Sequence, residues 1–223
     1  MSIQEAFGDW VSIIGEPVLL KYRKMLLDCD LRGIPIEPKS SRVFHAFHTV
    51  QPNDVRAVVL AMDPYHDGNA TGLAFANNPF KEGFKGLSPS LKVIRDSILS
   101  LTNPEDLPIF DPTLESWAKQ GILLLNSALT VRRGNPGSHL AAWKPFIERV
   151  LVALSGQTNA CFLLFGKVAW EFKECVFDNA RGVWEEYHPA YYARNNTKMP
   201  NTIWKNMIKY VQDNFNETLK LYD

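Results

Sequence analysis

Cysteine is scarce in this chain, and its placement excludes two classes of protein. The 223 residues hold three, Cys29, Cys161 and Cys175, an odd number with no CxxC spacing. A disulfide framework and a cysteine-based zinc site both lack their material. Long apolar runs are absent too. None reaches the roughly 20 residues that a membrane span needs. The N-terminus lacks the basic-then-apolar order of a signal peptide. A soluble intracellular protein is expected, in cytoplasm or nucleus, with no membrane partner. Net charge is also missing, because 24 basic side chains balance 24 acidic ones. That weighs mildly against a protein gripping long nucleic acid, which is usually basic. GxSxG, Walker A and GxGxxG do not occur, so acyl-hydrolase, nucleotide and dinucleotide readings lack their anchors. No metal and no cofactor are expected. Neither repeats nor linkers divide the chain, and one domain over residues 1–223 is expected, with a helical region over 1–50.

What is present is ordinary globular material, 46% apolar and 22% charged. Charge is uneven along the chain. From Tyr187 to Gln212 there is no acid, while Arg194, Lys198, Lys205 and Lys209 are present. Ser116 to Ile147 also lacks acid and carries Lys119, Arg132, Arg133 and Lys144. A neutral protein with such runs can still present one basic face. A solvated surface balanced elsewhere is the plainer reading of either run alone.

Short apolar segments at Val55–Met62, Ile122–Asn126, Ala160–Phe165 and Gly182–Tyr187 read as strands. Helical patterns lie between them. Leu91, Ile94, Ile98 and Leu101 form one apolar face, opened by Ser88 or Ser90 with Pro89 at the start. Trp143 to Leu154 reads as a helix ended by Ser155-Gly156, and Ile203, Met207, Val211 and Phe215 make a C-terminal stripe. Ser2 to Leu27 is mostly helical, with interruptions near Gly15 and Pro17. Alternating strands and helices predict an α/β fold, a four-stranded parallel sheet flanked by helices on both faces. In such sheets the site forms at the carboxyl ends of the strands.

Three polar residues follow or end predicted strands: Asp63, Asn126 and His188. Each has a plain explanation, as a turn aspartate, a loop-satisfying amide and a strand exit. A base-like carboxylate, an amide and an imidazole together suggest a site. Pro64 restricts the backbone after Asp63. His45 and His48 stand three apart without a clustered acid or cysteine. A helix-surface or core role is expected for them over a metal.

Met62-Asp63-Pro64-Tyr65-His66 resembles the water-activating loop of family 1 uracil-DNA glycosylases. Other segments resemble that family in order. Thr71-Gly72-Leu73-Ala74-Phe75-Ala76 is similar to the segment with a base-stacking Phe, and Leu87-Ser88-Pro89-Ser90-Leu91 to the phosphate loop. Trp117 through Asn126, continuing to Arg132, reads almost as the family does, and Ser138-His139 and Trp143 also fit. Phe162-Leu163-Leu164-Phe165-Gly166 resembles the strand before the Gly-Ser loop, and His188-Pro189 the start of the minor-groove loop. The likeness runs from about Val55 to Arg194.

The resemblance implies hydrolysis of the N-glycosidic bond of uracil in single- or double-stranded DNA by a monomer without a covalent intermediate. A protein inhibitor or replication partner stays undefined. Asp63 is expected to stabilise the sugar cation and orient water. A neutral His188 is expected to donate to uracil O2. Substrate contacts are assigned to Met62, Tyr65, Phe75 and Asn126. The Asn126 amide pairs with uracil O4 and N3–H and rejects cytosine. Phe75 stacks on the base, and Tyr65 excludes thymine's methyl. DNA contacts are assigned to Ser88, Pro89, Ser90, Gly166, Lys167, Pro189, Ala190, Tyr191, Tyr192 and Arg194.

Four departures from the family pattern stand out. Met62 replaces a Gln. The loop from Asp67 to Thr71 is shorter than its counterpart and adds the charge of Asp67 near the site. Lys167 replaces a Ser, supplying a charge to a phosphate where the family has a hydroxyl. In His188-Pro189-Ala190-Tyr191-Tyr192-Ala193-Arg194, Ala190 stands for the phosphate-binding Ser and Tyr192 for the intercalating Leu. An aromatic there could stack on neighbouring bases. These changes keep a rival open, a DNA-binding accessory protein of the same fold with lost or secondary catalysis. A different modified pyrimidine is a third reading, disfavoured by Tyr65.

Overall fold

A computed structural model describes residues 2–103, 108–177 and 182–222. Helices α1 (Ile3–Phe7), α2 (Trp10–Ile14) and α3 (Glu16–Leu31) open the chain. Strand β1 (Ile36–Glu37), α4 (His45–Thr49), β2 (Ala57–Ala61), α5 (Pro89–Leu99), α6 (Glu115–Ala118) and β3 (Ile122–Asn126) follow. Then come β4 (Val131–Arg132), α7 (Leu140–Gln157), β5 (Cys161–Phe165), α8 (Lys167–Trp170) and α9 (Lys173–Phe177). The last elements are β6 (Val183–Glu186), α10 (Pro189–Asn195) and α11 (Thr202–Phe215).

The main sheet is parallel, in the order β3-β2-β5-β6. Every residue of β2, β3 and β5 is buried. That burial explains their unbroken apolar runs, because strands covered on both faces have no solvent side to alternate with. Phe165 stacks on Trp204 of α11 at 5.4 Å, and pleat alternation turns Phe162 and Leu164 to the other side. Tyr22, Phe44, Phe47, Trp143 and Phe146 form a second aromatic cluster joining α3, α4 and α7. The edge strand β6 is only half-buried.

The helix signals were informative where caps are present. Ser88 Oγ accepts the Leu91 N–H at 3.3 Å, Pro89 takes the first position of α5, and Leu91, Ile94 and Ile98 are buried. α11 buries Ile203, Met207 and Val211 as expected, with Arg56 over the half-covered Phe215 ring.

Three boundaries differ from expectation. Pro17 does not interrupt the N-terminal region, because it lies in the first turn of α3, where its missing N–H has no helical partner to lose. The breaks fall at Gly8 and Gly15, both at positive φ. α7 starts earlier, at Leu140, accommodates Pro145, and passes through Ser155-Gly156 to Gln157. The small antiparallel pair β1–β4 was not foreseen, since two-residue strands carry no periodic signal.

Candidate active site

The carboxyl ends of all four parallel strands converge on one cavity of about 420 Å³. Asp63 follows β2, Asn126 ends β3, Gly166 follows β5 and His188 follows β6. All four line the cavity, together with Met62, Tyr65, Phe75, Ser90, Lys167, Ala190 and Arg194. Helices starting where parallel strands end leave a crevice of this kind.

Asp63 is held by a backbone amide from a distant loop. Its Oδ2 accepts the Gly137 N–H at 2.6 Å. Burial pushes the carboxyl above the usual aspartate range, against the Gly137 bond and the nearby His66, which pull it down. Gly137 escaped sequence reasoning, although Asn135-Pro136-Gly137 carries turn chemistry. The β1–β4 pair and an Arg133–Glu37 ion pair, Nε to Oε1 at 2.9 Å, fasten this loop.

Asn126 is 5% exposed, and its side chain forms no hydrogen bond among the described residues; Oδ1 is fully buried. An unpaired buried amide oxygen costs about 1–3 kcal/mol, so a partner is expected from outside the chain. The His188 ring is oriented by its own helix. Its Nδ1 accepts the Ala190 N–H at 3.2 Å, which puts the neutral ring's proton on Nε2. Burial, reinforced by the Arg194 charge, lowers its pKa to about 4. At neutral pH it is an uncharged donor.

Phe75 closes another wall, its ring 5.4 Å from that of His188 and 5.5 Å from that of Phe165. Its φ of 64° lies in the left-handed region, which costs a non-glycine residue about 1–2 kcal/mol. Tyr65 Oη donates to Phe75 O at 3.0 Å and lies 2.6 Å from Ser88 Oγ. Burial pushes the Tyr65 phenol up to about 12, so it remains a donor.

The residues expected to contact DNA fall in different settings. The Ser88 hydroxyl is taken up internally, by Tyr65, by Asn77 Nδ2 at 3.3 Å and by the Leu91 amide. Gly166 is buried, and its N–H donates to Glu186 O at 2.8 Å. A Cβ there would lie 2.9 Å from His188 Cβ, so this glycine admits the imidazole. Pro189 and Tyr192 are buried because the expected loop is helix α10. Tyr192 Oη donates to Glu186 Oε1 at 2.6 Å, which holds its ring against the protein, where a residue inserting into a base stack was expected. Tyr191 is 43% exposed instead. Pro89, Lys167 and Arg194 are exposed, while Ser90 is buried on the cavity wall.

Asp67 turns away from this cavity: its carboxylate binds the Asn69 backbone and side-chain N–H groups at 3.1 and 2.8 Å. His45 has an acidic partner that its sequence neighbours did not reveal, Glu115 Oε1 at 2.7 Å from Nε2. Among the described residues, no group of three or more histidines, cysteines and acids could hold a metal ion. No helix of these residues is long and apolar enough to cross a membrane.

The sequence profile of the Uracil DNA glycosylase superfamily matches residues 47–212, well over half the chain. This protein belongs to that superfamily. A uracil-DNA glycosylase from Exiguobacterium sibiricum is 39% identical over 165 residues, covering 71% of each chain. One from Borrelia duttonii is 34% identical over 82% of this chain and 81% of its own. The crystal structure of mimivirus uracil-DNA glycosylase superposes with a TM-score of 0.72 over 100% of this chain and 93% of that one. At 17% identity that likeness speaks for the glycosylase fold alone.

Proposed function

We infer that this chain excises uracil from DNA, releasing the free base and leaving an abasic site. The observation that carries the reading is the unpaired Asn126 amide, buried in the cavity that Asp63 and His188 also line. Its oxygen suits an N3–H donor and its NH₂ a carbonyl, the edge that uracil presents and cytosine does not. Only an extruded nucleotide reaches such a recess, so base flipping precedes chemistry. Phe75 supplies the stacking face, and Tyr65 stands against C5.

As the C1′–N1 bond breaks, its electron pair leaves with uracil and positive charge grows on the sugar. The Asp63 carboxylate stabilises that cation and orients a water. The water oxygen bonds to C1′, and its proton passes to Asp63. The His188 Nε2–H donates to uracil O2 and spreads the charge of the departing anion. Because the ring is neutral, it stabilises this anion without protonating it. Lys167 and Arg194, exposed at the cavity mouth, suit DNA phosphates.

A gel assay tests the reading. Single-stranded and duplex oligonucleotides containing uracil, thymine or 5-hydroxymethyluracil are incubated with the protein, then treated with alkali. Strand scission with uracil only is expected. A shifted band without scission would instead assign an accessory DNA-binding role, and scission with 5-hydroxymethyluracil a different substrate.

A further inference from the structure

Beside the cavity lies an aromatic ladder that the excision chemistry does not use. Tyr187, just before His188, stacks on Tyr191 with centroids 4.9 Å apart and planes at 24°. Trp170, at the end of α8, backs Tyr187 at 5.4 Å. The buried Tyr192 meets Tyr191 edge-on at 5.3 Å. The ladder is therefore held from two sides, by Trp170 through its Nε1–H to Leu164 O at 3.1 Å and by Tyr192 through Glu186. Yet Tyr187 is 48% exposed and Tyr191 43% exposed. Adjacent exposed rings held rigid next in the chain to the cavity-lining residues His188 and Ala190 have the form of a binding surface.

Charge at the ladder favours a polyanion. Lys167 begins the helix that Trp170 ends, and Arg194 lies one turn beyond Tyr191 on α10. Neither forms an ion pair among the described residues. Nearby acids are engaged: Glu185 with Lys173 at 2.8 Å, and Glu186 with Tyr192 and the Tyr187 amide.

We propose that Tyr191, stacked on Tyr187 and backed by Trp170, is a platform on which the base next to the extruded uracil stacks. The proposal rests on the uracil-excision reading and assigns that site a subsite for the flanking nucleotide. It differs from a wedge at Tyr192, which is buried. Flat rings accept any base, so the platform adds affinity without sequence preference. It serves single strands most, where the flanking base has no partner to stay stacked against.

The test uses oligonucleotides with 2-aminopurine on either side of 2′-fluoro-2′-deoxyuridine, whose glycosidic bond resists cleavage. Stacking on tyrosine quenches 2-aminopurine. Wild type should quench it on one side, Tyr191→Phe should match wild type, and Tyr191→Ala should lose the quench. On cleavable single-stranded substrate, Tyr191→Ala should raise KM on the order of 5- to 150-fold with kcat little changed. No quench on either side, or equal quench and KM in Tyr191→Ala, would overturn the platform. Should wild type release no uracil, the excision reading falls, and the quench still decides the platform.

Discussion

Acid should cost this protein stability through His188, by an amount the structure sets. The ring is half-buried and neutral, with its pKa lowered from 6.5 to about 4 by burial and by the Arg194 charge. The unfolded chain takes up a proton below 6.5, whereas the folded chain resists until about 4. Stability from this group is therefore complete above pH 6.5, declines between 6.5 and 4, and is gone below. The gap is worth about 3 kcal/mol, and residual solvent contact trims it to about 2–3. Urea unfolding of wild type and His188→Gln at steps from pH 7 to 4 isolates the effect, because His48 and His139 titrate in both. The stability difference should shrink by about 2–3 kcal/mol across that window. Nitrogen-15 NMR should show the Nε2–H tautomer down to pH 5. A stability difference constant with pH, or a His188 pKa near 6.5, would refute the neutral-donor assignment.

Asp63→Asn should lower kcat on the order of 10²–10³ or more while DNA affinity in a band-shift assay stays close to wild type; undiminished turnover would remove Asp63 from the mechanism. Burial raises the Asp63 pKa, so its ionised form costs folding energy at neutral pH. The same variant should therefore melt higher, by about 2–4 °C for each kcal/mol recovered, and an unchanged Tm at pH 7 would count against that burial. Gly166→Ala places a Cβ 2.9 Å from His188 Cβ at a φ of +85°. It should cost about 1–3 kcal/mol in urea unfolding and lower kcat as the imidazole shifts, and wild-type values of both would show that the contact relaxes freely. Tyr65→Ala should open room at C5 and permit release of thymine, whereas Tyr65→Phe should keep thymine out and lose about 1 kcal/mol with the bond to Phe75 O. Thymine still refused by the alanine variant would mean that another group excludes its methyl.

Much of the frame was legible because its signals are local. β2, β3 and β5 are unbroken apolar runs, and α5 carries Ser88 and Pro89 at its start with an apolar face behind. Asp63, Asn126 and His188 stood out as polar residues where such runs stop. The misreadings came from residues whose partners lie far along the chain. The Gly137 amide reaches Asp63 across 74 positions, and Glu115 meets His45 across 70. Ser88 reads equally well as a phosphate ligand or a cap, and Tyr65 and Asn77 decide for the interior.

By itself, the order of residues determined the sheet, the helices with caps, and the polar groups offered at strand ends, since periodicity and capping act within a few residues. Tertiary structure alone decided that these groups share one cavity, how far burial and Arg194 lower the His188 pKa, and that Tyr192 is buried while Tyr191 faces solvent. Each of those outcomes depends on desolvation and on contacts between distant segments, which exist only once the strands have paired and the helices have closed over them.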